Sequence, residues 1–295
     1  MIDGGLLLDK PVGITSNRAL QEAKKVLGAK KAGHAGTLDP LASGLLIVLF
    51  GEATKLAGYL LEDDKEYLAT LKLGEKTATG DAEGEVIERK GCRVKEADLP
   101  GVLQRFLGEV DQVPPMHSAL KRGGVPLYEL ARKGASVERE ARRIRITELE
   151  RIELKEPYLK LRVRCSKGTY VRTLAEDIAE ALGTCAHLTA LRRTGSGRWR
   201  VENAVSLNSL SFESRLSCLI PIPALLADLP RAELDAAQEA RFRNGQSLDS
   251  FPGEGLHAVY GADGRVVGLG QAGHGGALKP VRLLAQAADK HRKTL

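Results

Sequence analysis

Asp39 is the one acidic side chain between a glycine-rich turn, Gly33-His34-Ala35-Gly36, and the unbroken apolar run Leu45–Phe50. Glycine carries no Cβ, so backbone here can pass close to a bulky ligand. Pro40 fixes φ directly after the acid and removes a donor, so stiff chain presents the carboxylate. A carboxylate held in this way suits work on a bound molecule, as a covalent nucleophile would do. An aspartate before proline is also an ordinary turn former, and loop composition alone leaves both readings open.

The charge pattern points to the kind of molecule. The formal net charge is +6, but its placement matters more than its size. Between Lys121 and Arg145 there are eight basic residues and three acids. Arg192 to Arg200 holds four arginines and no acid. Either run fits a solvated face, but two concentrated patches in a chain with few aromatics favour a polyanionic partner. The four cysteines, Cys92, Cys165, Cys185 and Cys218, form no C-x-x-C pair and read as reduced side chains rather than a metal site. No apolar run approaches the roughly 18 residues of a membrane span, and Met1–Gly5 does not begin like a signal peptide. A cytoplasmic protein is expected.

The elements that must hold Asp39 follow from periodicity. Ser16 to Leu27 has apolar residues at 19, 20, 23, 26 and 27, a helical spacing that Ser16 caps and Gly28 closes. Leu45–Phe50 reads as a buried strand. Glu66–Leu73 alternates with Tyr67, Ala69, Leu71 and Leu73 on one face, and Tyr158–Cys165 alternates again. A helix with Pro100 in its first turn ends near Leu107, and Val125–Arg132 is a short helical candidate stopped by Gly134. A further helix spans about Val171 to Leu182. Strands and helices without strict alternation predict an α+β fold with a mixed, mainly antiparallel sheet. A boundary falls within residues 221–230, and beyond it short strand signals punctuated by glycine predict a small β-rich module.

Three separated segments carry a resemblance. The first is Gly33-His34-Ala35-Gly36-x-Leu38-Asp39-Pro40-x-Ala42-x-Gly44. The second is Lys65-x-Tyr67 with Leu73-Gly74-x-x-Thr77-x-Thr79-x-Asp81-x-x-Gly84. The third is Cys165-Ser-Lys-Gly-Thr-Tyr170-Val-Arg172-Thr-Leu with Ala186-His187-Leu188-x-x-Leu191-Arg192-Arg193. In order and spacing they resemble the TruB family of tRNA pseudouridine-55 synthases from residue 6 to about 200. Past about residue 230 only position and length correspond, to a PUA-like RNA-binding domain. The resemblance implies a catalytic pseudouridine synthase domain over 1–225 and a PUA-like module over 228–287.

It also implies roles. Asp39 is the nucleophile on a flipped-out uridine, Arg172 its ion-pair partner, and Tyr67 the aromatic platform for the base. Arg172 in the first turn of a helix opposes the helix dipole, so a nearby carboxylate should compensate it. His34 fills the stack left by the everted base, and Lys10, Tyr170 and Leu191 line the pocket. Asp81 fits an RNA contact or a turn cap equally. The insertion at about 121–145, with Lys121, Arg122, Arg132, Arg142 and Arg143, grips the T-arm of tRNA. Moving a glycosidic bond from N1 to C5 involves no redox step, so neither cofactor nor metal is expected, and the protein should act as a monomer. Two other readings are a guide-RNA-dependent synthase of the dyskerin type and a tRNA-binding or tRNA-folding protein with little catalysis.

Overall fold

A computed structural model describes residues 2–118, 120–135, 137–213, 217–249 and 251–285. From the N-terminus, β1 (Gly4–Lys10) leads through α1 (Ser16–Val26) to β2 (Ala32–Ala35) and β3 (Ala42–Phe50). A 3-10 turn and α2 (Ala57–Leu61) deliver β4 (Lys65–Leu73). A small ribbon, β5 (Glu75–Thr77) and β6 (Val86–Arg89), precedes α3 (Leu99–Gln104) and β7 (Gly108–Gln112). The basic insertion holds β8 (Lys121–Arg122), β9 (Val125–Pro126) and α4 (Leu127–Arg132). Then come β10 (Arg142–Lys155), β11 (Tyr158–Cys165), α5 (Val171–Ala181) and β12 (Ala186–Ser196). Two short strands, β13 (Trp199–Arg200) and β14 (Val205–Ser206), are followed by α6 (Ile222–Leu225). The chain closes with β15 (Arg231–Glu233), α7 (Ala236–Arg243), β16 (Gly255–Tyr260), β17 (Val266–Ala272) and β18 (Leu278–Leu283).

Among the described residues ten strands form one sheet, in the order β14-β1-β3-β12-β4-β11-β10-β7, with β2 on β3 and β13 on β12. Pairing is parallel at β1/β14 and β3/β12 and antiparallel elsewhere. This is the mixed, mainly antiparallel α+β architecture expected. Leu45 to Phe50 are fully buried because both faces of β3 are covered. Each such side chain contributes roughly 1.5–3 kcal/mol relative to exposure. α5 buries Leu174, Ala175, Ile178 and Ala179 against the strands that include Ala69, Leu161 and Leu188.

Residues 231–283 form a second, four-stranded sheet, β15-β16-β17-β18. Ala258, Tyr260, Leu269 and Leu284 share one apolar cluster with Leu7, Leu45, Ile47 and Leu49, so this sheet packs directly on the first. Lys55 Nζ donates to Leu283 O at 2.9 Å, and Ala285 N donates to Glu52 at 2.6 Å.

Several local readings are corrected. Thr15, not Ser16, caps α1 by accepting from Arg18 N. Ser16 is buried and bonded elsewhere. α3 stops at Gln104 rather than near Leu107. α4 begins at Leu127, because Val125–Pro126 pairs with Lys121–Arg122 instead.

Candidate active site

Asp39 sits on the link from β2 to β3, and that link is pinned from several sides. Ser16 Oγ accepts from Leu38 N at 2.7 Å and donates to Leu38 O at 2.9 Å. Gly13 N donates to Pro40 O at 2.8 Å, and Ala42 N to Asp39 O at 3.0 Å. The acid is thus carried by chain with few free torsions, one residue from a buried hydroxyl clamp.

Arg172 occupies the second position of α5 and is buried. Its Nε lies 3.1 Å from Asp39 Oδ2 and 3.8 Å from Asp81 Oδ2. Nη1 donates to Thr79 O at 3.0 Å and Nη2 to His117 O at 2.7 Å. The cation that opposes the helix dipole therefore does have its carboxylates. Asp81 in turn accepts from Thr79 Oγ1 at 2.6 Å and from Glu83 N at 3.1 Å, so it builds the turn that receives Arg172.

The Asp39 side chain remains 39% exposed while that of Arg172 is 7% exposed. An acid anchored from behind and open in front is placed to meet a ligand. Burial pushes its carboxyl up from the usual aspartate value, Arg172 and Lys10 pull it down, and Asp81 adds to the rise. Burial wins, so the guanidinium orients the acid more than it acidifies it.

The sheet register brings the remaining residues together. Lys10 on β1 pairs with Gly44 on β3, Gly44 with Arg193 on β12, and Arg193 with Tyr67 on β4. Gly44 has φ +100°, and a Cβ there would lie 2.3 Å from Arg193 O, so the two strands approach as only glycine permits. Lys10 is buried, donates to Pro11 O and Ile14 O, and is lowered to about 8 mainly by burial, with Asp39 and Glu83 opposing. Tyr67 packs on the core cluster that includes Leu38 and Leu191, and burial raises its phenol while Arg193 opposes. His34 on β2 has a buried Nδ1 with no partner, and burial followed by Arg193 holds its pKa below the usual value. Tyr170, just before α5, exchanges two hydrogen bonds with Gln112 at 2.8 and 3.1 Å. Arg172 also lines a cavity of about 340 Å³ with Thr77, Pro114, Met116, Arg139 and Glu176.

The basic insertion reaches this group through Arg139, which lines the cavity beside Arg172. Lys121, Arg122, Arg142 and Arg143 are exposed; Arg122 donates to Glu138 O, and Arg143 Nε pairs with Asp111 at 2.9 Å. The side chain of Arg132 lies outside the described residues. The second arginine run is corrected: it is not a free basic patch. Arg192 pairs with Asp9 at 2.8 Å and Arg198 with Asp228 at 3.4 Å. Arg193 is buried, and Arg200 donates to Gly197 O and Trp199 O. Sequence presents Ser16 only as a helix cap and Arg193 only as one arginine of the third segment, not as the clamps they are. Strand alternation through β12 was the available signal for Arg193.

The fold is that of a pseudouridine synthase. The model of the TruB family pseudouridylate synthase N-terminal domain matches residues 24–171. Two C-terminal models match as well, that of the tRNA pseudouridylate synthase B C-terminal domain at 172–216 and that of pseudouridine synthase II TruB at 230–284. The protein named tRNA pseudouridine synthase B of Burkholderia mallei (strain NCTC 10247) is 52% identical, with 97% of this chain and 98% of that one covered. Its namesake in Dechloromonas aromatica (strain RCB) is 50% identical over 98% and 97%. Among solved structures, a Cbf5-Nop10-Gar1 complex has TM-score 0.74 at 27% identity, covering 95% of this chain and 84% of that one. An H/ACA RNP bound to a substrate RNA containing 2'-deoxyuridine has TM-score 0.72 at 26% identity, covering 97% and 86%. This chain belongs to the TruB family.

Proposed function

We propose that this protein converts uridine to pseudouridine at position 55 in the T-loop of tRNA, with Asp39 as the covalent nucleophile. The observation that carries this reading is the pairing of an accessible Asp39 with a buried Arg172 at 3.1 Å. Attack by the carboxylate divides one difficult exchange into two easier ones. Asp39 bonds to the sugar or the base, the N1–C1′ bond breaks, the base turns and C5 bonds to C1′; the bond to Asp39 then breaks, C5 loses its proton and N1 takes one up. Atoms and charge balance without any redox partner.

The remaining residues take roles that suit their places. A uridine inside a stacked loop is out of reach of Asp39, so the nucleotide is flipped at a cost of a few kcal/mol. Tyr67 stacks on the everted base, and its hydroxyl helps to remove the C5 proton by passing its own on towards solvent. His34, neutral and half-buried, fills the space the base leaves. Lys10, Tyr170 and Leu191 wall the pocket, and Asp81 holds Arg172. Residues 1–225 form the catalytic domain, whose basic insertion at 121–145 (Lys121, Arg122, Arg132, Arg142, Arg143) grips the T-arm. Residues 228–287 form a PUA-like RNA-binding module, of which 286 and 287 lie outside the described residues. The protein works in the cytoplasm as a monomer, without a cofactor.

A guide-dependent mode has support from the likeness to the Cbf5-Nop10-Gar1 complex and the H/ACA RNP, at 27% and 26% identity. The relatives named for tRNA are about twice as similar in sequence, at 52% and 50%. The stand-alone reading is therefore preferred. It is tested by mapping pseudouridine in an unmodified tRNA transcript incubated with purified protein alone. Modification at position 55 is expected; no modification until a guide RNA or second protein is added would overturn it.

A further inference from the structure

We infer that Arg193 is a positioning residue that locks the Asp39 loop against the strand pair that carries Tyr67. The inference rests on the site reading above and adds a member to it. Arg193 is 2% exposed. Its Nε donates to Leu45 O at 2.6 Å and its Nη2 to Gly36 O at 3.2 Å. Those carbonyls stand at the two ends of the segment that carries Asp39, so one planar fork clips the segment shut. Arg193 on β12 lies opposite Tyr67 on β4, and its charge opposes the rise of that phenol. One guanidinium thus holds both ends of the nucleophile's loop, from the strand position that pairs with the aromatic platform.

The surroundings are shaped for it. Gly44 lets β3 lie against the Arg193 backbone, and a Cβ on Gly36 would come within 3.3 Å of Nη1. Among the described residues, no carboxylate oxygen lies within 4.0 Å of this cation. Removing water from an unpaired guanidinium is costly, so a scaffold alone would be better served by an apolar side chain of similar volume. Its charge also reaches the rest of the site, holding down His34, Lys10 and Lys65.

The test compares Arg193→Ala and Arg193→Lys with wild type on a tRNA transcript, with enzyme in excess. Rate constant, active fraction and tRNA affinity are read separately. Misplacement by an ångström can cost about a hundredfold in rate, and Arg193→Ala is expected to lose that much with tRNA affinity near wild type. Free guanidinium ion at non-denaturing concentration should restore much of its rate and none in Asp39→Asn. Arg193→Lys keeps the charge but not the fork and should fall between; should the alanine variant not fold, this variant decides. Wild-type rate constants in the folded variants, or a reduced active fraction with an unchanged rate constant, would overturn the inference and leave the site reading standing. Absence of pseudouridine from wild type itself would overturn both.

Discussion

Arg172 holds Asp39 at 3.1 Å with Nε alone, while its other two nitrogens are occupied by the carbonyls of Thr79 and His117. The cation is therefore anchored whether or not the acid is bound to it. Asp39 can turn from the guanidinium to a substrate atom without loosening the helix that carries Arg172. Asp81, 3.8 Å from the same Nε, keeps the charge compensated meanwhile.

Arg172→Ala takes the guanidinium from beside Asp39 and Asp81 and leaves Lys10 as the remaining cation acting on Asp39. Breaking a buried pair typically costs about 3–5 kcal/mol. If most of that is expressed in the transition state, the single-turnover rate falls by about a hundredfold or more. Affinity for tRNA should change far less. Parallel rate and filter-binding measurements check the split.

Turnover should follow a bell with pH. The carboxylate form of Asp39 reacts, and burial raises its pKa, so the acid limb lies above the usual aspartate value of 3.8. Lys10 is lowered to about 8, so its charge is lost as pH rises through that value and the alkaline limb falls there. Lys10→Arg keeps its charge to beyond pH ~9 and removes the alkaline limb. Lys10→Met withdraws a cation from Asp39 and moves the acid limb higher. Single-turnover rates between pH 5 and pH 9.5 at fixed ionic strength measure both limbs.

Affinity should be steeply salt-dependent, with unequal shares from the insertion. Each phosphate contact removed flattens the slope of log affinity against log salt by about 0.7–0.9. Lys121→Glu and Arg142→Glu should each produce such a step. Arg143 is already paired with Asp111 in the free protein, so its reversal should produce a smaller one.

Gly44→Ala meets a backbone that cannot yield, with a Cβ 2.3 Å from Arg193 O and φ at +100°. Strain of that kind together with a forced strand separation should cost about 3 kcal/mol or more. Urea unfolding of the purified variant reads it directly, and an unchanged midpoint would contradict the close approach of β3 and β12.

Much of the fold was legible because its strands carry strong patterns. The apolar run Leu45–Phe50 and the alternation in Glu66–Leu73 and Tyr158–Cys165 each match an observed strand to within a few residues. Asp39 stands out through the motif around it, since an acid before proline in a glycine-rich loop is by itself an ordinary turn former, whereas Arg172 opposes the dipole in a helix's first turn. What sequence hid was nonlocal. The parallel contact of Ala42–Gly44 with Leu191–Arg193 joins segments nearly 150 residues apart, and no local rule marks it. Arg193 looked like surface charge because it stands among other arginines. Ser16 looked like a cap because the true cap, Thr15, is its neighbour and their side chains are chemically alike.

The central claim is that the Asp39 carboxylate forms the bond to the substrate. Asp39→Asn keeps the shape of the side chain and removes its nucleophilic charge. Release of tritium from tRNA labelled at uridine C5, followed with wild-type and variant protein at equal bound tRNA, tests it most directly. The account predicts no release above background from Asp39→Asn with tRNA binding near wild type; release at a rate comparable to wild type would contradict it.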